Sequence, residues 1–268
     1  MSEVLYVDHN AGFFSCCSVK LTKIIDYFNL NQKEPSLIDC SKQFDAYKLN
    51  PSNENEDLTL TYFKNFNNFD SIPHINNVNF FWENQFESYK DILYEQIYPF
   101  VEKYFSLSDK VLNLVFKSEQ KYNIDYENTI SVCYRGNDKH RETNIASYSE
   151  FFLKSKEVLA KNPNCKFFVQ TDEQEFLDEF YKEFPNTFHL QEMPLISRNK
   201  SVVIHTMVQQ DQRPLFGCRI LQSIYMQSKC KHVITHSGNC GLWIALFRGN
   251  PNNISQYLNH KTTQRGWV

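Results

Sequence analysis

From residue 129 onward, short apolar runs alternate with amphipathic stretches, and this alternation narrows the folds open to the chain. TISVCY (129–134), KFFVQ (166–170), TFHL (187–190) and KHVIT (231–235) read as strands. Between and after them, about 148–160, 173–184, 215–228 and 240–249 read as helices, with Phe176, Phe180 and Phe184 on one face. Repeated strand–helix units build a mostly parallel sheet with helices on both sides. Such sheets bind ligands beyond the carboxyl ends of their strands, so the residues that follow each apolar run are the first candidates for chemistry.

The first half opens in the same way. EVLYVD (3–8) reads as a strand, HNAGFFSCCS (9–18) as a loop, VKLTKIIDYFN (19–29) as a helix and SLIDC (36–40) as a second strand. Residues 49–78, rich in Asn, Ser and acids, read as irregular structure, and about 86–105 as a long aromatic helix. A serine-capped helix over 106–122 and a turn over 123–128 then lead into the regular alternation. The division falls near residue 106, giving an N-terminal domain (1–105) and a C-terminal domain (106–268).

Composition excludes several classes of function. Hydrophobic residues make up 41% and aromatics 15%, enough for a folded core over most of the length. A formal net charge of −3 supplies no broad basic field, so no nucleic-acid partner is expected. The eight cysteines contain no C-x-x-C pair and sit mostly in apolar runs, which points to buried, reduced thiols in a cytoplasmic protein. No leader opens the sequence and no run approaches the ~20 apolar residues of a membrane helix, so any membrane association is expected to be peripheral or through a partner.

Four strand-end loops carry the candidate residues: Asn10, Gly12 and Phe13 after the first strand; Arg135, Asp138, Lys139 and Glu142 after the strand at 129–134; Thr171 and Asp172 after 166–170; and His236, Ser237, Gly238 and Asn239 after 231–235. Arg135 is a forked donor suited to phosphate oxygens, and the Gly-Asn turn behind it lets backbone approach closely. Asp138 reads first as a turn cap or ion-pair partner. Glu142 fits equally a surface pair and a general base. Thr171 and Asp172 read as a helix cap, a role compatible with holding a base or ribose. Ser237, Gly238 and Asn239 either cap the following helix or offer hydroxyl and N–H groups to a phosphate at its N-terminus, and His236 has no settled role. No G-x-S-x-G elbow, no G-x-x-x-x-G-K-[ST] and no G-x-G-x-x-G is present, and the histidines lack metal-ligand spacing.

Taken in order, these segments resemble the motifs of the GDP-fucose-dependent fucosyltransferases of α-1,6, α-1,2 and protein-O-linked specificity. VCYRGNDK (132–139) resembles their arginine motif, FVQTDE (168–173) the apolar run ending in T-D-D, and YMQSKCKHVITHSGNCGLWIAL (225–246) their third motif; NAGFF (10–14) sits at their glycine-rich turn. The resemblance implies a GT-B-like fold, two Rossmann-like domains with mostly parallel sheets facing a cleft. It further implies an inverting, metal-independent transferase with a GDP-fucose donor, a carbohydrate acceptor and no cofactor. Arg135 would grip the pyrophosphate, Asp172 would contact or orient the nucleoside, Ser237 to Asn239 would bind phosphate, and Glu142 would deprotonate the acceptor. The acceptor site would lie in the N-terminal half, with loops 49–78 and 193–215 as its walls. Cys133 stands where many members have His, Gly136 replaces a second Arg and Glu173 a second Asp. These departures leave two alternatives: a related transferase using another nucleotide sugar, or an inactive nucleotide- or carbohydrate-binding protein of the same fold.

Overall fold

The computed structural model of the chain describes residues 4–268 apart from 52, 54, 76 and 199–203; the side chains of residues 138, 141 and 205 also lie outside the described part. The first unit is β1 (Val4–Tyr6), α1 (Phe13–Asn31) and β2 (Leu37–Asp39), with the two strands parallel. The short α2 (Thr59–Tyr62), α3 (Tyr94–Phe105) and α4 (Asp109–Tyr122) follow. Then come β3 (Thr129–Tyr134), α5 (Tyr148–Lys161), β4 (Lys166–Thr171), α6 (Gln174–Glu183), β5 (Thr187–Phe188), α7 (Arg213–Lys229), β6 (His232–His236) and α8 (Asn239–Arg248). β7 (Ile254–Leu258) and β8 (Gly266–Trp267) end the chain.

The six-stranded sheet has the order β5-β4-β3-β6-β7-β8, and every pairing is parallel except β7 with β8. All six residues of β3 are buried, as expected of a central strand covered on both faces. The period of two persists beneath this uniform hydrophobicity. Ile130, Val132 and Tyr134 join Phe151, Phe176 and Phe180 under α5 and α6, whereas Cys133 joins the opposite cluster with Trp243. From β3 the chain winds outward through β4 to β5, then returns to place β6 on the other side of β3. The carboxyl ends of β3 and β6 therefore flank the point where the winding reverses, the position at which such sheets form a crevice.

The α/β class and the mostly parallel sheet agree with the sequence, while several boundaries move. Residues 13–18, expected as loop, are already helix, because Phe13, Phe14, Cys16 and Cys17 are buried around the helix start and leave no polar face for a periodic pattern to reveal. The helix expected over 86–105 begins only at Tyr94. Before it, 82–86 and 89–91 are 3-10 turns, with Ser88 capping the second and the Tyr89 N–H donating to Gln256 Oε1 at 2.8 Å. This long-range bond fixes the segment in a path that local propensity does not describe. β7 and β8 had no counterpart in the sequence reading.

One buried cluster includes Phe14, Phe105, Val115 and Trp243 and so spans the connection at 105–109. Trp243 stacks on Phe14 at 5.9 Å and packs at a tilt against Phe105 at 4.6 Å, and its indole N–H donates to Ser18 Oγ at 2.9 Å. The Ser18 hydroxyl in turn donates to Asn239 Oδ1 at 2.6 Å. α1 and the start of α8 are thereby locked together, and a cleft opens between their N-terminal ends.

Candidate active site

Arg135 leaves the end of β3 with its side chain held from below. Its Nε donates to Asp172 Oδ2 at 2.9 Å, and the Gly136 N–H donates to Asp172 Oδ1 at 3.1 Å. Asp172 comes from the end of β4, one position past Thr171, which the parallel register sets beside Tyr134. The carboxylate is 4% exposed and the guanidinium 22%, so the acid is enclosed while the cation reaches the cleft. Such charge-assisted bonds fix the orientation of the guanidinium before any ligand arrives. Asn137 Nδ2 closes the loop onto the Asp172 carbonyl at 3.0 Å. Asp172 thus serves Arg135 directly, and Thr171 is a local cap whose hydroxyl accepts the Glu173 N–H at 3.1 Å.

His236 acts from beneath. The Arg135 N–H donates to its Nε2 at 2.9 Å, and its Nδ1 lies 2.8 Å from the Ser237 carbonyl. Only the neutral tautomer with hydrogen on Nδ1 satisfies both contacts. Burial lowers its pKa to about 4, and the nearby Lys139 and Arg135 charges act in the same direction. His236 is therefore a neutral strut between the ends of β3 and β6. The Ser237 hydroxyl is fully buried and accepts from Gln256 Nε2 at 3.3 Å, so its side chain faces the sheet edge instead of the cleft. Gly238 adopts φ 135°, a conformation open to glycine, and its N–H donates to the Gln85 carbonyl at 2.8 Å. Asn239 and Cys240, the first residues of α8, do line the cleft.

Lys139 and Glu142 form an ion pair on the cleft wall, the lysine 13% and the glutamate 51% exposed. Lys139 also lies beside the Gly238 turn, where a β-carbon would be 3.3 Å from its Nζ. Asp138 opens the 3-10 turn 138–141, and its side chain lies outside the described residues. From the first unit, Gly12 and Phe13 line the cleft. A β-carbon on Gly12 would meet nothing within 4 Å, so this turn leaves open space at the start of α1. The Phe13 N–H donates to Tyr47 Oη at 3.0 Å and its ring packs against Tyr62 at 4.9 Å, which makes Phe13 a structural member of the wall. Asn10 points elsewhere, pairing through both ends of its amide with Asp45.

The cleft encloses about 560 Å³, within the range of small-ligand sites. Arg135, Lys139 and the first residues of α1 and α8 all reach it, so two cations and the positive ends of two helix dipoles face one space. A smaller apolar slot of about 40 Å³ adjoins it behind Arg135, between Cys133, Phe216 and Ile224. Trp82, Gln85, Phe86 and His260 complete the cleft wall and were missed in the sequence, because a 3-10 turn and a strand-end link carry no periodic or motif signal. Of the loops expected to wall an acceptor site, the second contributes Ile204. No cluster of three or more metal-ligating side chains occurs among the described residues.

No family model matches the chain, and no curated protein is similar to it. Solved structures do match over its whole length. NodZ α-1,6-fucosyltransferase soaked with GDP-fucose superposes with a TM-score of 0.63 at 12% identity, over 100% of this chain and 99% of that one. The same enzyme co-crystallised with GDP gives 0.56 at 13%, over 100% and 98%. Fucosyltransferase NodZ from Bradyrhizobium gives 0.58 at 13%, over 100% and 99%. The chain therefore shares the α/β, GT-B-like fold of these fucosyltransferases.

Proposed function

We propose that the protein is a glycosyltransferase that moves fucose from GDP-fucose to a hydroxyl of a glycan or glycoconjugate, with inversion and without a metal ion. The observation that carries this reading is Arg135, oriented by the enclosed Asp172 and aimed into a cleft that Lys139 and two helix N-termini also face. The shared fold with NodZ structures soaked with GDP-fucose or grown with GDP supports the choice of donor.

The chemistry follows from charge. As the acceptor oxygen bonds to the anomeric carbon, the bond from that carbon to the β-phosphate oxygen breaks and GDP departs with its electron pair. Negative charge grows on the diphosphate, and cations and helix ends fixed in advance stabilise it most. Arg135 and Lys139 supply that field. Glu142, paired with Lys139 on the same wall, takes the acceptor proton once the diphosphate draws the lysine away. A single displacement of this kind inverts the anomeric centre. A cytoplasmic setting belongs to the same proposal and is supported by the eight free thiols.

One observation favours a second reading, a protein that binds the nucleotide without transferring sugar. The Glu173 carboxylate occupies the space into which any side chain at position 136 would grow, so among the described residues the cleft wall carries one arginine where the resemblance carries two. Calorimetry with GDP, GDP-fucose and UDP-sugars, in buffer containing EDTA, followed by an assay of donor hydrolysis and transfer, separates the readings. The transferase reading expects GDP binding and turnover in EDTA, and Arg135→Ala lowering GDP affinity at least tenfold. GDP affinity unchanged in that variant removes the pyrophosphate role.

A further inference from the structure

A second pocket lies between α4 and α7 and shares no lining residue with the cleft. It encloses about 170 Å³ and is bounded by Lys117, Ser118 and Lys121 of α4, Arg219 and Gln222 of α7, and Glu192 from the link after β5. Three cations thus face one carboxylate. Lys117 and Lys121 stand one helical turn apart, a spacing at which like charges repel, and Arg219 adds a third charge from the facing helix. Glu192 offsets part of this, taking Lys121 Nζ on its carboxylate at 2.6 Å, while Arg219 donates to its backbone carbonyl at 3.4 Å.

The floor of the pocket distinguishes it from a solvated charged face. Gln222 is 4% exposed and Ser118 7%. Gln222 Nε2 donates to the Leu114 carbonyl at 2.9 Å and to Ser118 Oγ at 2.7 Å. A carbonyl can only accept, so the orientation of the amide is fixed, and Gln222 Oε1 meets no donor among the described residues. The Ser118 hydroxyl, used there as an acceptor, meets no acceptor for its own proton among them. One donor and one acceptor therefore lie side by side beneath the cations, between apolar walls from Leu114, Leu190 and Met193. Polar groups left open at such low exposure favour a ligand that completes them.

We infer that this pocket binds a phosphate monoester of a short polyol or sugar. The phosphate lies among Lys117, Lys121 and Arg219 and takes the Ser118 proton, and a hydroxyl of the ester donates to Gln222 Oε1. A dianion matches the excess of three cations over one carboxylate, and guanidinium and ammonium groups both suit phosphate oxygens. The carbon chain rests on the apolar walls. At about 30 Å³ per water the pocket has room for about six, which suits a phosphate with a few carbons. The site stands apart from the glycosyl-transfer reading and does not depend on it.

The test is calorimetry on the full chain at low ionic strength, titrating glycerol 3-phosphate, glucose 6-phosphate, inorganic phosphate and glycerol with GDP present to engage the cations of the cleft. At least one ester should bind tenfold or more tightly than inorganic phosphate, and glycerol should not bind. Lys117→Gln and Arg219→Gln should each weaken that ester at least fivefold, with melting temperature unchanged and GDP affinity within twofold. Binding of neither ester, or ester binding unchanged in both variants, overturns the site. Inorganic phosphate as tight as the esters overturns the assignment of an ester and the role given to Gln222. A wild-type chain that binds no GDP sinks the donor reading alone, since the loss of ester affinity in Lys117→Gln and Arg219→Gln still decides the pocket.

Discussion

Substituting Gly136 by alanine separates steric from entropic effects by the sign of the change. Gly136 is absent from the positive-φ positions, so alanine meets no backbone strain there. On entropy alone, such a replacement stabilises by about 0.4–1 kcal/mol, because the unfolded chain loses freedom. Its β-carbon, however, would lie 2.2 Å from Glu173 Oε1 and 2.3 Å from Cδ. The carboxylate would have to retreat by about 1 Å to restore ordinary contact. It ends a flexible side chain, but it is 1% exposed and accepts the Tyr148 hydroxyl at 2.6 Å, so retreat breaks that bond in a place with little water. The balance predicts destabilisation by about 1–3 kcal/mol. Glu173→Ala leaves a small void and an unpaired Tyr148, yet it removes the obstacle. In a double-mutant cycle read by denaturant unfolding, Gly136→Ala should therefore cost less in the Glu173→Ala background, with a coupling of about 1–3 kcal/mol. A Gly136→Ala protein as stable as wild type or more so, or additive losses in the double variant, would refute this account of why glycine follows the arginine.

Asp172→Asn replaces one of two acceptor oxygens by a donor facing either Arg135 Nε or the Gly136 N–H; a loss of about 1–3 kcal/mol in stability with weaker GDP binding is expected by melting and calorimetry. Glu142→Gln should retain GDP affinity while transfer falls at least a hundredfold, and wild-type turnover would move the base elsewhere. His236 binds its proton only near pH 4 when folded against an ordinary 6.5, so the unfolded chain takes up protons first and stability falls as pH drops from 6.5 toward 4, then levels off. That residue contributes about 3 kcal/mol to the fall, and subtracting the pH profile of His236→Asn from that of wild type isolates it; parallel profiles would contradict the neutral strut. Gly241→Ala drives a β-carbon to 2.6 Å from the His236 carbonyl and 2.7 Å from Tyr89 Oη, and should cost about 1–3 kcal/mol in unfolding experiments despite better helix propensity.

The central β–α alternation and the loops that matter most were legible because they obey local rules. TISVCY and KFFVQ are apolar runs of strand length, and the charged and glycine-bearing residues after them mark strand ends wherever the partners lie. The helix start at Phe13 was hidden by its own burial, since a segment covered on all sides shows no amphipathic period. Ser237 was read as facing ligand and turns out to face Gln256, and Asn10 is taken up by Asp45; strand-end position specifies a neighbourhood but leaves side-chain direction open.

By itself, the sequence determined the class of sheet, the order of its strand-end loops and the placing of Arg135 at the mouth of a strand, because periodicity and turn chemistry act between residues close along the chain. Tertiary structure alone decided that Asp172 orients that arginine, that His236 stays neutral and that Phe86 meets His260. Each of those contacts joins positions between 37 and 174 residues apart, and no local pattern encodes which distant group a fold will bring within a few ångströms.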